Sequence, residues 1–158
     1  MNKAYLSLGS NIDPEKNITL ALEYLNQDFK ILEVSHTWKT KPVGINSADF
    51  LNTAVKLITS LDSIDLKDKF LCHIEEIMGR VRVEDKFAPR TIDIDIIIFN
   101  DSVVDKNLFQ LDYLILPFSE LVPDLRSPDT KCTLAEIARQ VLRNTNAAKF
   151  KCLRPPFQ

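Results

Sequence analysis

Two aspartates, Asp93 and Asp95, stand two residues apart in the run Thr91-Ile92-Asp93-Ile94-Asp95-Ile96-Ile97-Ile98-Phe99. Side chains alternate across a strand, so both carboxylates leave one face about 6.5–7 Å apart, while Ile92, Ile94, Ile96 and Ile98 line the other. Oxygen ligands at that spacing suit two magnesium ions about 3.5–4 Å from each other. Carboxylates this close repel unless a cation sits with them. Ile97 and Phe99 continue the acidic face and are apolar, which resembles the rim of a cleft. On spacing alone, a solvated sheet face is the competing reading. Just upstream, Arg80, Arg82, Lys86 and Arg90 face only two acids, Glu84 and Asp85, a local excess of two positive charges. Phosphoryl transfer needs cations that neutralise developing charge and hold oxygens in line. A solvated charged loop is again the plainer alternative.

A second group surrounds one loop: Thr40, Pro42, Val43, Gly44, Phe50 and Asn52. An Asn side chain offers donor and acceptor together, matching the edge of an amide-bearing heterocycle. The rings of Phe50 and Tyr113 could stack on a flat ligand. A strand-end cap for Asn52 and a core position for Phe50 remain open alternatives. Gly9-Ser10-Asn11 lacks the pattern and lysine of a P-loop and reads as a turn.

The elements that must position these groups follow from pattern. Ala4 to Leu8 reads as a buried strand. Asp13-Pro14 reads as an N-cap with proline opening a helix to Gln27, whose apolar positions are Ile18, Ala21, Leu22 and Leu25. Strand character returns from Ile31 to Trp38 and from Leu51 to Ser60. Asp62 or Ser63 caps a helix whose apolar face is Leu66, Phe70, Ile74, Ile77 and Met78, ending at Gly79. Arg80 to Arg90 has no period and reads as a mobile loop. Thr91 to Phe99 is the strongest strand, Asn100-Asp101-Ser102 turns the chain, and Val103-Val104 starts a hairpin partner. Tyr113 to Leu116 reads as one more strand, and Thr133-Leu-Ala-Glu136 is a capping box opening a last helix to about Leu142. The order β-α-β-β-α-β with a smaller tail predicts an α+β fold, a ferredoxin-like α/β sandwich with a mainly antiparallel sheet.

Composition narrows the class. The 158 residues fit a single domain over 1–158, and 45% hydrophobic with 27% charged residues is an ordinary globular balance. The net charge of −2 argues against a broad nucleic-acid surface. Cys72, Cys132 and Cys152 are odd in number and widely spaced, which predicts free thiols, and with only His36 and His73 a zinc site is not expected. With no signal-like or membrane-length apolar run, a cytoplasmic protein is expected.

Taken together, these segments resemble hydroxymethyl-dihydropterin pyrophosphokinase, the folate-pathway enzyme, from Ala4 to about Pro128. The matching parts are Gly9-Ser10-Asn11, Thr40-Lys41-Pro42-Val43-Gly44, Asp49-Phe50-Leu51-Asn52, Glu75 through Gly79-Arg80-Val81-Arg82, and Ala88-Pro89-Arg90-Thr91-Ile92-Asp93-Ile94-Asp95. The resemblance implies a transferase that moves pyrophosphate from ATP to a reduced pterin, releasing AMP. It implies that Asp93 and Asp95 ligate two magnesium ions, that Arg80 and Arg90 assist from the catalytic loop, and that Arg82 supports it. It further implies that Thr40, Pro42, Val43 and Asn52 bind the pterin edge, that Phe50 and Tyr113 line its ring, and that Glu75, Arg82 and Arg90 hold the nucleotide. The chain departs from the pattern in three places. Ala88 replaces a glycine, and Phe87 stands where tryptophan is usual. Residues Asn107 to Asp112 form a shorter loop without the histidine and arginine that normally help bind ATP.

The expected partners are ATP and a reduced pterin, with neither nucleic acid nor membrane, and a monomer is expected. Two other classes stay in view: a non-catalytic pterin- or partner-binding module on the same fold, and a ferredoxin-like domain reading single-stranded RNA through exposed aromatics.

Overall fold

A computed structural model describes residues 1–41, 48–85 and 88–154. Pro42, Val43 and Gly44 of the expected substrate loop, and Lys86 and Phe87 of the cationic segment, lie outside the described residues. The elements are β1 (Asn2–Ser10), α1 (Pro14–Asp28), β2 (Lys30–Val34), β3 (Trp38–Thr40), β4 (Phe50–Thr59), α2 (Ser63–Asp65), a π-helical stretch (Leu66–Leu71), α3 (Cys72–Ile77), β5 (Asp93–Phe99), β6 (Ser102–Val103), a 3₁₀ turn (Lys106–Phe109), α4 (Asp112–Leu121), α5 (Leu134–Asn144) and β7 (Ala148–Lys149).

The strands form one sheet in the order β6-β5-β1-β4-β3-β7, with β2 also on β4, and every pairing is antiparallel. The expected ferredoxin-like α+β sandwich is thus present. Its first face is covered by α1, whose Ile18, Ala21, Leu22 and Leu25 are completely buried, and by the helix from Ser63 to Ile77. Its second face carries α4 and α5 over Tyr5, Trp38, Ala54, Ile97 and Ile98. Among the described residues no helix is long and apolar enough to cross a membrane.

Several expectations need correction. Residues Tyr113 to Leu116 are helical, inside α4, not a strand. A four-residue apolar run does not distinguish a strand from a helix buried on most sides, and Leu114, Ile115, Leu116 and Phe118 are all at most 2% exposed. The expected strand from Ile31 to Trp38 is two strands, β2 and β3, because the ladder breaks between them: Ser35 N still donates to Ala54 O at 2.9 Å, but Thr37 bonds the chain near its end, donating to Lys151 O at 2.9 Å and accepting from Phe150 N at 2.8 Å. Asp13 sits at φ 39 and makes no side-chain cap, although Pro14 does open the helix.

Strand β5 is not uniformly alternating. Leu6 of β1 pairs with Ile96 and Tyr5 pairs with Ile98, so Ile97 is an extra residue in a β-bulge. Beyond it the faces exchange. Ile98 joins the second-face core instead of following Ile92, Ile94 and Ile96, and Phe99 packs on the first-face core instead of continuing the acidic face.

The helix after β4 departs from a regular α period. Asp62 caps it by accepting from Asp65 N at 2.8 Å, as expected. Cys72 N–H then reaches back five residues to Lys67 O, one wide π turn. The extra residue shifts the apolar face: Leu66, Leu71 and Ile74 are buried, and Ile77 is 51% exposed. Gly79 takes φ 80 at the helix end, a conformation glycine adopts without penalty.

Candidate active site

The second sheet face, where α4 leaves it uncovered, holds a cleft of about 440 Å³. Its floor follows from strand register. Gly9 of β1 pairs with Asn52 of β4 on one side and Asp93 of β5 on the other, and Ser7 pairs with Ala54 and Asp95. Strands lie about 4.8 Å apart, so Asn52 and Asp93 face the cleft across roughly 10 Å. The small residues Ser7 and Gly9 keep that floor low. A Cβ on Gly9 would lie 2.9 Å from Asn52 Oδ1, so only glycine lets the Asn52 side chain lie there. Gly9 therefore serves close approach inside a strand, not a turn. Thr40, Phe50 and Tyr113 also line the cleft. Asn52 and Thr40 are 4% and 7% exposed, and Asn52 Nδ2 donates to Thr40 Oγ1 at 2.8 Å.

At the opposite end Asp93 and Asp95 both line the cleft. Asp93 accepts from Arg80 Nη1 at 2.5 Å through Oδ1 and from Arg90 Nη1 at 2.7 Å through Oδ2. The Asp95 side chain is 52% exposed, and its Oδ1 accepts from Lys67 Nζ at 2.9 Å. Burial lowers the Arg80 pKa, but the charges of Asp93 and Glu75 outweigh it and hold the guanidinium firmly protonated. Burial, with Asp105, Asp93 and Asp95 nearby, pushes the Tyr113 hydroxyl up, so it stays a neutral donor. The two acids thus point into one cavity and are ringed by cations.

Glu75 does not line the cleft. It is 1% exposed beneath β5, where Oε1 accepts from Ile94 N at 2.8 Å and Oε2 pairs with Arg80 at 2.8 Å and Arg82 at 3.1 Å. Ile94 stands between the two aspartates, and its N–H and C=O point away from β1. Glu75 takes the N–H and Lys67 takes the C=O at 2.5 Å, so side chains from one helix finish an otherwise open strand edge. Arg82 is 65% exposed and reaches the acids only through Glu75.

Two contributors escape a reading by motif. Asn11 grips the end of the cationic segment: Arg90 N donates to Asn11 Oδ1 at 2.8 Å and Asn11 N donates to Arg90 O at 3.2 Å. The Gly9-Ser10-Asn11 pattern is the signal that could have pointed to it. Lys67 had none, because an ordinary helical period places it on a different face from Glu75.

Two carboxylates are too few to cage a metal by themselves, and among the described residues no group of three His, Cys, Asp or Glu completes one. Magnesium takes such a donor set when substrate phosphates and water fill the remaining positions. Asp95, half exposed, and Asp93, mostly buried, both line a cleft rimmed by cations and fit it on those terms.

A family model described as 7,8-dihydro-6-hydroxymethylpterin-pyrophosphokinase (HPPK) matches residues 5–123. A Bacillus subtilis protein named 2-amino-4-hydroxy-6-hydroxymethyldihydropteridine pyrophosphokinase is 36% identical over 152 residues, spanning 94% of this chain and 85% of that protein. A Pseudomonas aeruginosa protein of the same name is 31% identical over 141 residues, spanning 82% and 86%. The solved structure of Plasmodium falciparum HPPK-DHPS with pteroate superposes with a TM-score of 0.73 over 90% of this chain, at 14% identity, a likeness of fold alone. This chain spans 45% of that one. Sequence likeness across most of the chain, to a family model and to relatives of similar length, agrees with the ferredoxin-like frame and its paired acids, and the chain belongs to the HPPK family.

Proposed function

We propose that this chain, as one domain over 1–158, transfers pyrophosphate from ATP to 6-hydroxymethyl-7,8-dihydropterin in folate biosynthesis, in the cytoplasm and as a monomer. The observation that carries the reading is the shared cleft: a buried Asn52–Thr40 pair at one end and Asp93 with Asp95 at the other, joined across the low floor of Ser7 and Gly9. Asn52 and Thr40 present amide and hydroxyl groups to the pterin edge, and the Phe50 and Tyr113 rings supply apolar faces for a flat ligand. Family resemblance assigns pterin binding to Pro42 and Val43 as well.

Asp93 and Asp95 would hold two magnesium ions, which when bound neutralise the phosphate oxygens and polarise the phosphorus. Arg80 and Arg90 bring guanidinium groups to the same place and would follow the charge onto the triphosphate. Arg82 acts through Glu75, which holds Arg80 and the Ile94 amide in position. The pterin hydroxyl oxygen bonds to the β-phosphorus and gives up its proton to solvent, the bond from the β-phosphorus to the α-phosphate oxygen breaks, and AMP departs. With no protein covalent intermediate, the work is positioning and charge neutralisation.

The test is AMP formation from ATP, magnesium and the pterin. Asp95→Ala is expected to lower turnover at least about a thousandfold while far-UV circular dichroism is unchanged. Absence of AMP at saturating substrates would sink the assignment. The loop from Asn107 to Asp112, with neither histidine nor arginine, favours one second reading, a pterin-binding module without chemistry. Calorimetry showing pterin binding indifferent to ATP and magnesium would establish it.

A further inference from the structure

Among the described residues, Lys67 is the one cation at the acid pair that comes from the helix rather than from the segment after Gly79. Its ammonium donates to Asp95 Oδ1 at 2.9 Å and to Ile94 O at 2.5 Å, and lies 3.7 Å from Glu75 Oε1. Burial lowers its pKa, but Asp95, through charge and hydrogen bond, and then Glu75 outweigh it, so the group is charged. Its side chain is 29% exposed, at the open edge of β5 beside the cleft.

The helix is built to put it there. Lys67 and Glu75 are eight residues apart, which in a regular α-helix leaves them about 80° apart around the axis at about 100° per residue. The π turn at Leu66–Leu71 inserts one residue and removes about 100°, which brings the two onto nearly one line. From that line they reach the N–H and C=O of the same residue, Ile94. A wide turn gives up regular helix geometry, and here it aims an ammonium at Asp95.

Given the proposed pyrophosphokinase reading, on which this rests, we propose that Lys67 is a triphosphate-binding residue that occupies Asp95 while the nucleotide is absent. A divalent ion on Asp95 repels the ammonium. The nearest remaining carboxylate, Glu75, is already committed to Ile94 N–H, Arg80 and Arg82. The phosphate oxygens arriving with the metal are the anions within reach of the flexible stem. Lys67 thereby supplies positive charge to the nucleotide from the helix side, and it competes with metal at Asp95 when no nucleotide is present.

Binding of a non-hydrolysable ATP analogue with magnesium, and of Mn²⁺ alone to nucleotide-free protein, tests this by calorimetry. Lys67→Gln keeps a donor for Ile94 O without the charge, and Lys67→Arg keeps both. K67Q is expected to weaken analogue binding about tenfold or more, the scale of one charge-assisted hydrogen bond, with K67R within about threefold of the parent. Mn²⁺ alone is expected to bind K67Q a few-fold more tightly than the parent, about two- to fivefold, because a competing cation is gone. Unchanged analogue affinity in K67Q, equal losses in K67Q and K67R, or weaker Mn²⁺ binding to K67Q overturns the proposal. A parent protein that binds the analogue and forms AMP, with K67Q binding it as well, removes the lysine assignment alone. A parent protein that binds no analogue removes the pyrophosphokinase reading itself.

Discussion

At the residue scale, the acid pair is held in a charged lattice, and its support is more demanding than its ligands. Glu75 is a buried carboxylate that satisfies a backbone amide and two guanidinium groups at once. Removing it strands the Ile94 amide and leaves the largely buried Arg80 charge with only Asp93. Glu75→Ala is therefore expected to cost about 3 kcal/mol of stability, measured by urea unfolding, with turnover also lost. A change below about 1 kcal/mol would show the network to be solvated. Gly9→Ala makes a different prediction. Its methyl would meet Asn52 Oδ1 at 2.9 Å and push the amide off its seat. Pterin affinity is expected to fall about tenfold, the value of one or two lost hydrogen bonds, in a fluorescence titration. Unchanged affinity would remove Asn52 from the pterin site.

At the element scale, three irregularities shape the site. The bulge at Ile97 ends the alternation that carries Asp93 and Asp95, and turns both Ile97 and Ile98 under α4. The π turn aligns Lys67 with Glu75. Helix α4 supplies Tyr113 to the cleft and roofs the apolar part of the second sheet face, with Phe118 completely buried. Phe118→Ala is expected to destabilise the protein by about 3–5 kcal/mol in urea unfolding, because α4 has no other equally large buried anchor. A loss under about 1 kcal/mol would mean that α4 is loosely seated.

At the scale of the whole molecule, one carboxylate ties the end of α4 to β3 and to the connection between β2 and β3. Glu120 accepts from His36 N at 3.0 Å, from His36 Nδ1 at 2.9 Å and from Trp38 Nε1 at 2.8 Å. Burial pushes its pKa up, but the His36 amide and ring and the Trp38 indole outweigh burial and hold it below the usual 4.5. A folded pKa below the unfolded one means stabilisation that is full above about 4.5 and is lost as pH falls through the folded value. The difference in melting temperature between the parent and Glu120→Gln is expected to shrink as pH drops below that range. A difference independent of pH would show that charge plays no part in the clamp.

Much of this was legible in the chain itself. Asp93 and Asp95 share a face because strand geometry has a period of two, and that holds over a few residues whatever packs above. The capping box at Thr133, the Asp62 cap and the left-handed Gly79 are likewise local, each set by backbone chemistry within one turn. The sheet class followed from element order. What pattern could not supply depends on long-range packing. The run from Tyr113 to Leu116 is apolar on every side, and only the sheet beneath it decides for a helix. The bulge exists in relation to Tyr5 and Leu6 of another strand, so no property of Ile97 alone announces it. The role of Gly9 depends on Asn52, 43 positions away in sequence but adjacent across β1 and β4. Lys67 reaches Asp95 through a π turn that helical periodicity does not encode. Local sequence therefore set which way the acids point, and the tertiary structure decided which cations and carboxylates stand around them, because only folding brings distant charges within a few ångströms.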